Sequence, residues 1–168
     1  MALLEQVRGT QAAGKIVYTA KVHTIGGRES GEARSSDGQL DVKLSVPGTS
    51  KPGTNPEQLF AAGWSACFEG AIAIVAQRRK IKLSGLAIDA EVNLHAANGE
   101  YSLSARFNVS LPGLDREVAE SLVEAAEQVC PYSKVTRGNI DVVFNVVCPR
   151  RAPTAQGREH RARGLSLC

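Results

Sequence analysis

The chain has 168 residues, of which 43% are hydrophobic and 22% charged, a composition that fits a soluble globular protein and excludes a disordered polymer or a membrane span. That length can bury a core without disulfides and sets one domain as the default. The formal charge of +3 is uneven: residues 149–168 hold Arg150, Arg151, Arg158, Arg161 and Arg163 against Glu159, a balance of +4, which leaves residues 1–148 at −1 and argues against a nucleic-acid-binding face on the folded part.

In chain order, the segment Met1 to Gly9 offers only the short apolar run Met1 to Leu4 beside Glu5 and Arg8, too short for a secretory leader. A cytoplasmic location is expected. Ile16, Tyr18, Ala20 and Val22 recur at every second position and predict a strand, and a weaker one is expected around Glu29 to Ser35. Ser36-Asp37-Gly38 has hairpin chemistry. It leads into Gln39 to Val46, where Leu40, Val42, Leu44 and Val46 share one face of a half-buried strand.

Asn55-Pro56-Glu57 marks a helix start, with Asn as the cap, Pro at a position whose missing N–H costs nothing, and Glu complementing the dipole. This helix is predicted to run to about Lys80. It is apolar almost all round, so burial on most sides is expected, and Glu69, Gly63 and Gly70 mark it as a core helix, not a membrane span. Next, Leu86, Ile88, Ala90, Val92 and Leu94 alternate, Asn98-Gly99 gives a tight turn, and Tyr101, Leu103, Ala105, Phe107 and Val109 resume the pattern as a second hairpin.

An amphipathic helix follows from Asp115 to about Val129, with Val118, Ala119, Leu122, Val123 and Ala126 opposite Arg116, Glu117, Glu120, Glu124 and Glu127. Cys130 falls on its apolar side, and Pro131 closes it. Ile140, Val142, Phe144 and Val146 form a last strand. The fold class is therefore α+β: antiparallel strands around a long buried central helix and a second amphipathic helix. Residues 1–148 are expected to form one domain. Periodicity stops at Pro149, and residues 149–168 read as a basic, poorly ordered tail.

Chemistry has few places to reside. Cys67, Cys130, Cys148 and Cys168 form no Cys-x-x-Cys pair and have no histidine at zinc-ligand spacing, so no metal site is expected. A lone cysteine in an apolar helix is ordinarily an inert core residue. A second inward-facing cysteine on another helix changes the balance, because two thiols that approach each other permit oxidation and resolution. Thr24 to Gly31 is a glycine-rich loop carrying Arg28, but it is not a dinucleotide fingerprint. Gly48 to Thr54 mimics a phosphate loop yet has Thr54 where lysine must stand. Glu57 is a first-turn dipole partner on its face value. It lies ten residues before Cys67, about 15 Å along a helix axis, so the two cannot touch within one helix. His23, His95 and His160 form no pattern with cysteine or serine and read as structural or solvated.

Several motifs together resemble a known family. Thr24-Ile25-Gly26-Gly27-Arg28, Ser36-Asp37-Gly38, Gly53-Thr54-Asn55-Pro56-Glu57-Gln58-Leu59-Phe60-Ala61-Ala62-Gly63, Ala66-Cys67-Phe68, Val129-Cys130-Pro131-Tyr132-Ser133-Lys134 and Thr136-Arg137-Gly138-Asn139-Ile140 look like those of the organic hydroperoxide resistance proteins of the OsmC-like superfamily. The resemblance covers about residues 14–147 and leaves the tail outside. It implies an intertwined homodimer with its active sites at the interface. It further implies a thiol peroxidase that reduces organic hydroperoxides, binds no cofactor, and is recycled by an external dithiol such as dihydrolipoamide on a lipoylated protein.

By position, Cys67 would be the peroxidatic and Cys130 the resolving cysteine, with Arg28 and Glu57 as polar partners of the thiolate. Trp64 stands where the family often has Tyr. Small residues on the central helix (Ala62, Gly63, Ala66, Gly70 and Ala73) allow another backbone to approach, and the separation of about 15 Å asks for Glu57 from elsewhere; Cys67 is expected to be served by Arg28 and Glu57 of a partner subunit. Two other readings remain open: a non-catalytic small-molecule binding module, and a redox-regulated interaction protein acting through its basic tail.

Overall fold

The computed structural model of the chain describes residues 14–147. The amino end and the 149–168 tail, with Cys148, His160 and Cys168, for which expectations are given above, lie outside those residues. Two compact units divide after Thr54, and the single domain expected over residues 1–148 spans both.

The first unit is an antiparallel three-stranded meander of β1 (Val22–Ile25), β2 (Glu32–Ser35) and β3 (Asp41–Lys43), in that order. Between β1 and β2 a single helical turn, α1 (Gly27–Ser30), replaces the first residues of the weaker strand expected from Glu29. Gly26 and Gly27 enter this turn at φ 72° and 66°, a left-handed region that a side chain would strain. The turn between β2 and β3 forms as Ser36-Asp37-Gly38 predicts. The Asp37 carboxylate accepts from the Ser35 hydroxyl at 2.5 Å and the Gln39 N–H at 3.1 Å, which holds its pKa below the ordinary carboxylate value.

The first predicted strand is displaced. Ile16, Tyr18 and Ala20 lie in irregular, exposed backbone, and β1 begins only at Val22. The reason is pairing. Val22 opposes Ser35, the last residue of β2, so among the described residues no strand continues beside residues 16–20 to take their hydrogen bonds.

The second unit is built on a long hairpin, β4 (Ala87–Ala97) and β5 (Glu100–Ser110), turned by Asn98 at φ 54° and Gly99 at φ 81°. Two successive positive φ values match the right-handed twist of the strands. The last strand, β6 (Asp141–Val147), lies on the other side of β5 and pairs with it in parallel, from Ser104 opposite Asp141 to Ser110 opposite Val147. This corrects the antiparallel expectation for that strand alone. A parallel neighbour needs a crossover of a dozen or more residues, and the helical segment between β5 and β6 supplies one.

Three helices cover the sheet. α2 (Pro56–Arg78) starts as predicted, with the Asn55 side chain accepting the Gln58 N–H at 2.9 Å. α3 (Arg116–Val129) turns Ala119, Leu122, Val123 and Ala126 inward. Pro131 ends α3 and also opens α4 (Pro131–Thr136). The residue before a proline is driven out of helical geometry, while proline itself suits a first helical position, so Cys130 sits at the break with φ −62° and ψ 122°.

Trp64, Phe68 and Ile72 of α2, Phe107 and Val109 of β5, and Leu122 of α3 are fully buried. Each contributes about 1.5–3 kcal/mol through burial. Trp64 meets Phe107 edge-on at 4.7 Å, and Phe144 of β6 stacks on both Phe68 and Phe107, at 4.7 and 5.2 Å. α2 is long and apolar enough to cross a bilayer by length and composition, but its large side chains pack into this core. Burial on most sides holds for one flank only. Ala62, Ala66, Gly70, Ala73 and Ile74 are exposed along the other.

Candidate active site

Cys67 lies in the middle of α2, half-buried, and Cys130 lies fully buried between α3 and α4. Their sulfurs are 3.4 Å apart, with the Cys130 thiol donating to Cys67. Both are free thiols. A disulfide requires about 2.05 Å between sulfurs, so the bond can form after an approach of about 1.4 Å. Desolvation pushes the Cys67 thiol above its ordinary pKa, and its interaction with Cys130 pushes in the same direction; the Tyr132 backbone N–H, hydrogen-bonded to the sulfur, pulls it down. The upward effects prevail, so this surrounding favours the protonated thiol.

Aromatic side chains cluster on the same helix as Cys67 and on α4. Phe60 and Trp64 stand 5.4 Å apart, and Tyr132 lies 6.1 Å from Phe60. Tyr132 reaches over Gly63, where an added Cβ would come within 3.2 Å of its hydroxyl. The Trp64 indole N–H donates to the Ser133 hydroxyl at 3.2 Å.

The other two expected residues are carried on other parts of the chain. Glu57 occupies the first turn of α2, half-buried. Because α2 is unbroken from Pro56 to Arg78, Glu57 stays about 15 Å along the axis from Cys67. Arg28 is carried on α1 of the first unit and is exposed. The structure thus brings Cys67 and Cys130 together and keeps Glu57 of the same chain apart from Cys67. Tyr132 and Ser133 stand in the Val129–Lys134 motif, but the sequence assigns them no role at the site. The signal for them was Pro131, which reads as a helix opening as readily as a helix end and would have set both residues in a turn beside Cys130.

An α+β unit that holds two thiols in contact across its helices has the framework of a dithiol protein. The OsmC-like protein family matches residues 47–145. The organic hydroperoxide resistance protein of Xanthomonas axonopodis pv. citri (strain 306) is 47% identical over 137 residues, covering 79% of this chain and 96% of that protein. Among solved structures, the organic hydroperoxide resistance protein OhrB of Bacillus subtilis aligns with a TM-score of 0.75 at 42% identity, over 79% of this chain and all of its own. An organic hydroperoxide resistance protein from Elizabethkingia anophelis aligns with a TM-score of 0.75 at 38% identity, over 81% of this chain and 100% of that one. The chain belongs to the OsmC-like family, in the branch of the organic hydroperoxide resistance proteins.

Proposed function

We propose that the chain is a thiol-dependent peroxidase that reduces alkyl or fatty-acyl hydroperoxides to alcohols in the cytoplasm during oxidative stress. The 3.4 Å approach of the Cys67 and Cys130 sulfurs carries the reading, and the names of the relatives agree with it. The Cys67 thiolate attacks the distal peroxide oxygen, the O–O bond breaks, and the alkoxide takes a proton and leaves as the alcohol, so that Cys67 becomes a sulfenic acid. The Cys130 sulfur then attacks Cys67; the S–S bond forms, the S–O bond breaks, and hydroxide departs as water with the Cys130 proton. An external dithiol, with dihydrolipoamide on a lipoylated protein as the expected one, reduces the disulfide and is itself oxidised. No bound cofactor takes part.

The Cys67 surroundings favour the thiol, whereas the attack needs the thiolate, so the mechanism requires a cation at the sulfur. Arg28 is proposed for that role, with Glu57 orienting its guanidinium as a carboxylate fork. The separation along α2 requires Glu57 from a second subunit. The exposed flank of small residues on α2 supports a homodimer with its two sites at the interface. The domain carrying the activity is proposed to span residues 1–148.

The test is consumption of cumene hydroperoxide or a fatty-acid hydroperoxide with a dihydrolipoamide-recycling system, comparing the native chain with Cys67→Ser. Turnover is expected only in the native chain. No turnover there, or equal turnover in both, refutes the proposal.

A further inference from the structure

Trp64 and Cys67 are three residues apart on α2 and therefore share a face one turn apart. Opposite them, Cys130 and Ser133 are three residues apart across the start of α4. The two elements are joined by two rungs: Cys130 Sγ to Cys67 Sγ at 3.4 Å, and Trp64 Nε1 to Ser133 Oγ at 3.2 Å. The second rung is dry. Trp64 is 0% exposed and Ser133 3%, so no solvent competes for the indole N–H. An indole only donates, which fixes the serine hydroxyl as acceptor.

Both ends of that rung are held in turn. The Trp64 ring is fixed between Phe60 at 5.4 Å and Phe107 at 4.7 Å. On α4, the Thr136 hydroxyl donates to the Tyr132 carbonyl at 2.9 Å and braces a helix of only six residues. Cys130 joins α3 to this short helix in extended backbone, its N–H donating to the Ala126 carbonyl and its carbonyl accepting from the Lys134 N–H, so the placement of α4 bears directly on its sulfur.

We propose that Ser133 is a positioning residue that, through its hydrogen bond from Trp64, docks α4 on α2 and so sets the distance between the Cys130 and Cys67 sulfurs. The proposal rests on the dithiol reading of that pair. Without the bond, α4 keeps on α2 only its contacts at the Cys67 sulfur and its apolar packing, and the sulfurs sample longer separations.

The test is the thiol–disulfide equilibrium of the full chain against dithiothreitol, with the Cys67–Cys130 pair quantified by mass spectrometry of alkylated peptides and folding followed by circular dichroism. Ser133→Ala is expected to weaken disulfide formation about tenfold, a potential about 30 mV less negative, and Ser133→Thr, which keeps the hydroxyl, to restore it. The double variant Trp64→Phe with Ser133→Ala removes the unmet donor as well and decides the matter if Ser133→Ala alone does not fold; the same tenfold loss is expected. A native equilibrium in a folded variant lacking the bond overturns the proposal, as does a loss that Ser133→Thr fails to repair. No hydroperoxide enters this measurement, so a chain without peroxidase turnover refutes the proposed function and leaves this result to stand or fall separately.

Discussion

Replacing Arg28 by Met isolates the charge that the proposed mechanism requires. Around Cys67, desolvation and Cys130 raise the thiol pKa and only the Tyr132 N–H lowers it. An unperturbed thiol near 8.5 is only about 3% thiolate at pH 7, and each unit of upward shift removes a further factor of ten. An opposite charge within about 4–6 Å lowers an acid's pKa by roughly 1–3 units. Removing the guanidinium should therefore move the Cys67 titration to higher pH and cut the thiolate at pH 7, and with it the rate of attack on hydroperoxide, by about 10- to 1000-fold. The assay is the rate of iodoacetamide alkylation of the Cys67 peptide as a function of pH, read by mass spectrometry so that Cys148 and Cys168 do not contribute, in parallel with single-turnover hydroperoxide consumption. The native inflection should lie below that of Arg28→Met. If the two pH profiles coincide, Arg28 does not act on this sulfur, and its assignment is wrong.

Cys130→Ser should consume about one equivalent of hydroperoxide and then accumulate sulfinic acid at Cys67, because the sulfenate has lost its intramolecular trap; sustained turnover with the lipoyl reductant would contradict this. Phe107→Ala removes a ring that touches Trp64, Phe68 and Phe144, and should cost about 3–5 kcal/mol in urea unfolding; a loss below 1 kcal/mol would show that this cluster is not the core. A Cβ at Gly70 meets nothing within 4 Å, so Gly70→Arg should leave the folded chain intact while blocking a second copy on that flank, giving a monomer by light scattering with little peroxidase activity. An active dimer would count against the proposed interface. Deleting residues 149–168 should leave hydroperoxide turnover intact, and a large loss would favour a role for the basic tail.

The parts of the fold that local chemistry dictates were legible. Asn55-Pro56 announces α2 because the cap and the missing N–H both act within one turn, and Asn98-Gly99 announces the β4–β5 hairpin because only such residues accept two positive φ values in succession. What depends on distant partners was not legible. Residues 16–20 alternate like a strand, yet alternation cannot tell whether a neighbour exists to take the hydrogen bonds. β6 alternates equally well in parallel or antiparallel pairing, and the direction is set by the crossover through α3 and α4. The same division runs through the site: the inward position of Cys130 follows from periodicity, whereas the side that Cys67 presents on a helix apolar almost all round, and the 3.4 Å approach of the two sulfurs, are properties of tertiary packing.

The two sulfurs also differ in how freely they can move, and this bears on which one closes the gap. Cys67 sits in mid-helix with hydrogen-bonded backbone on both sides and with Trp64 and Phe68 buried around it, so its displacement would disturb the core. Cys130 sits where two helices meet, in extended backbone ahead of a six-residue helix, so the approach of about 1.4 Å needed for a disulfide can be absorbed by small rotations at one junction. A nucleophile on the rigid element keeps its geometry toward substrate, and a resolving thiol on the yielding element can reach it afterwards. The fold thus places each cysteine on the kind of backbone its proposed step requires.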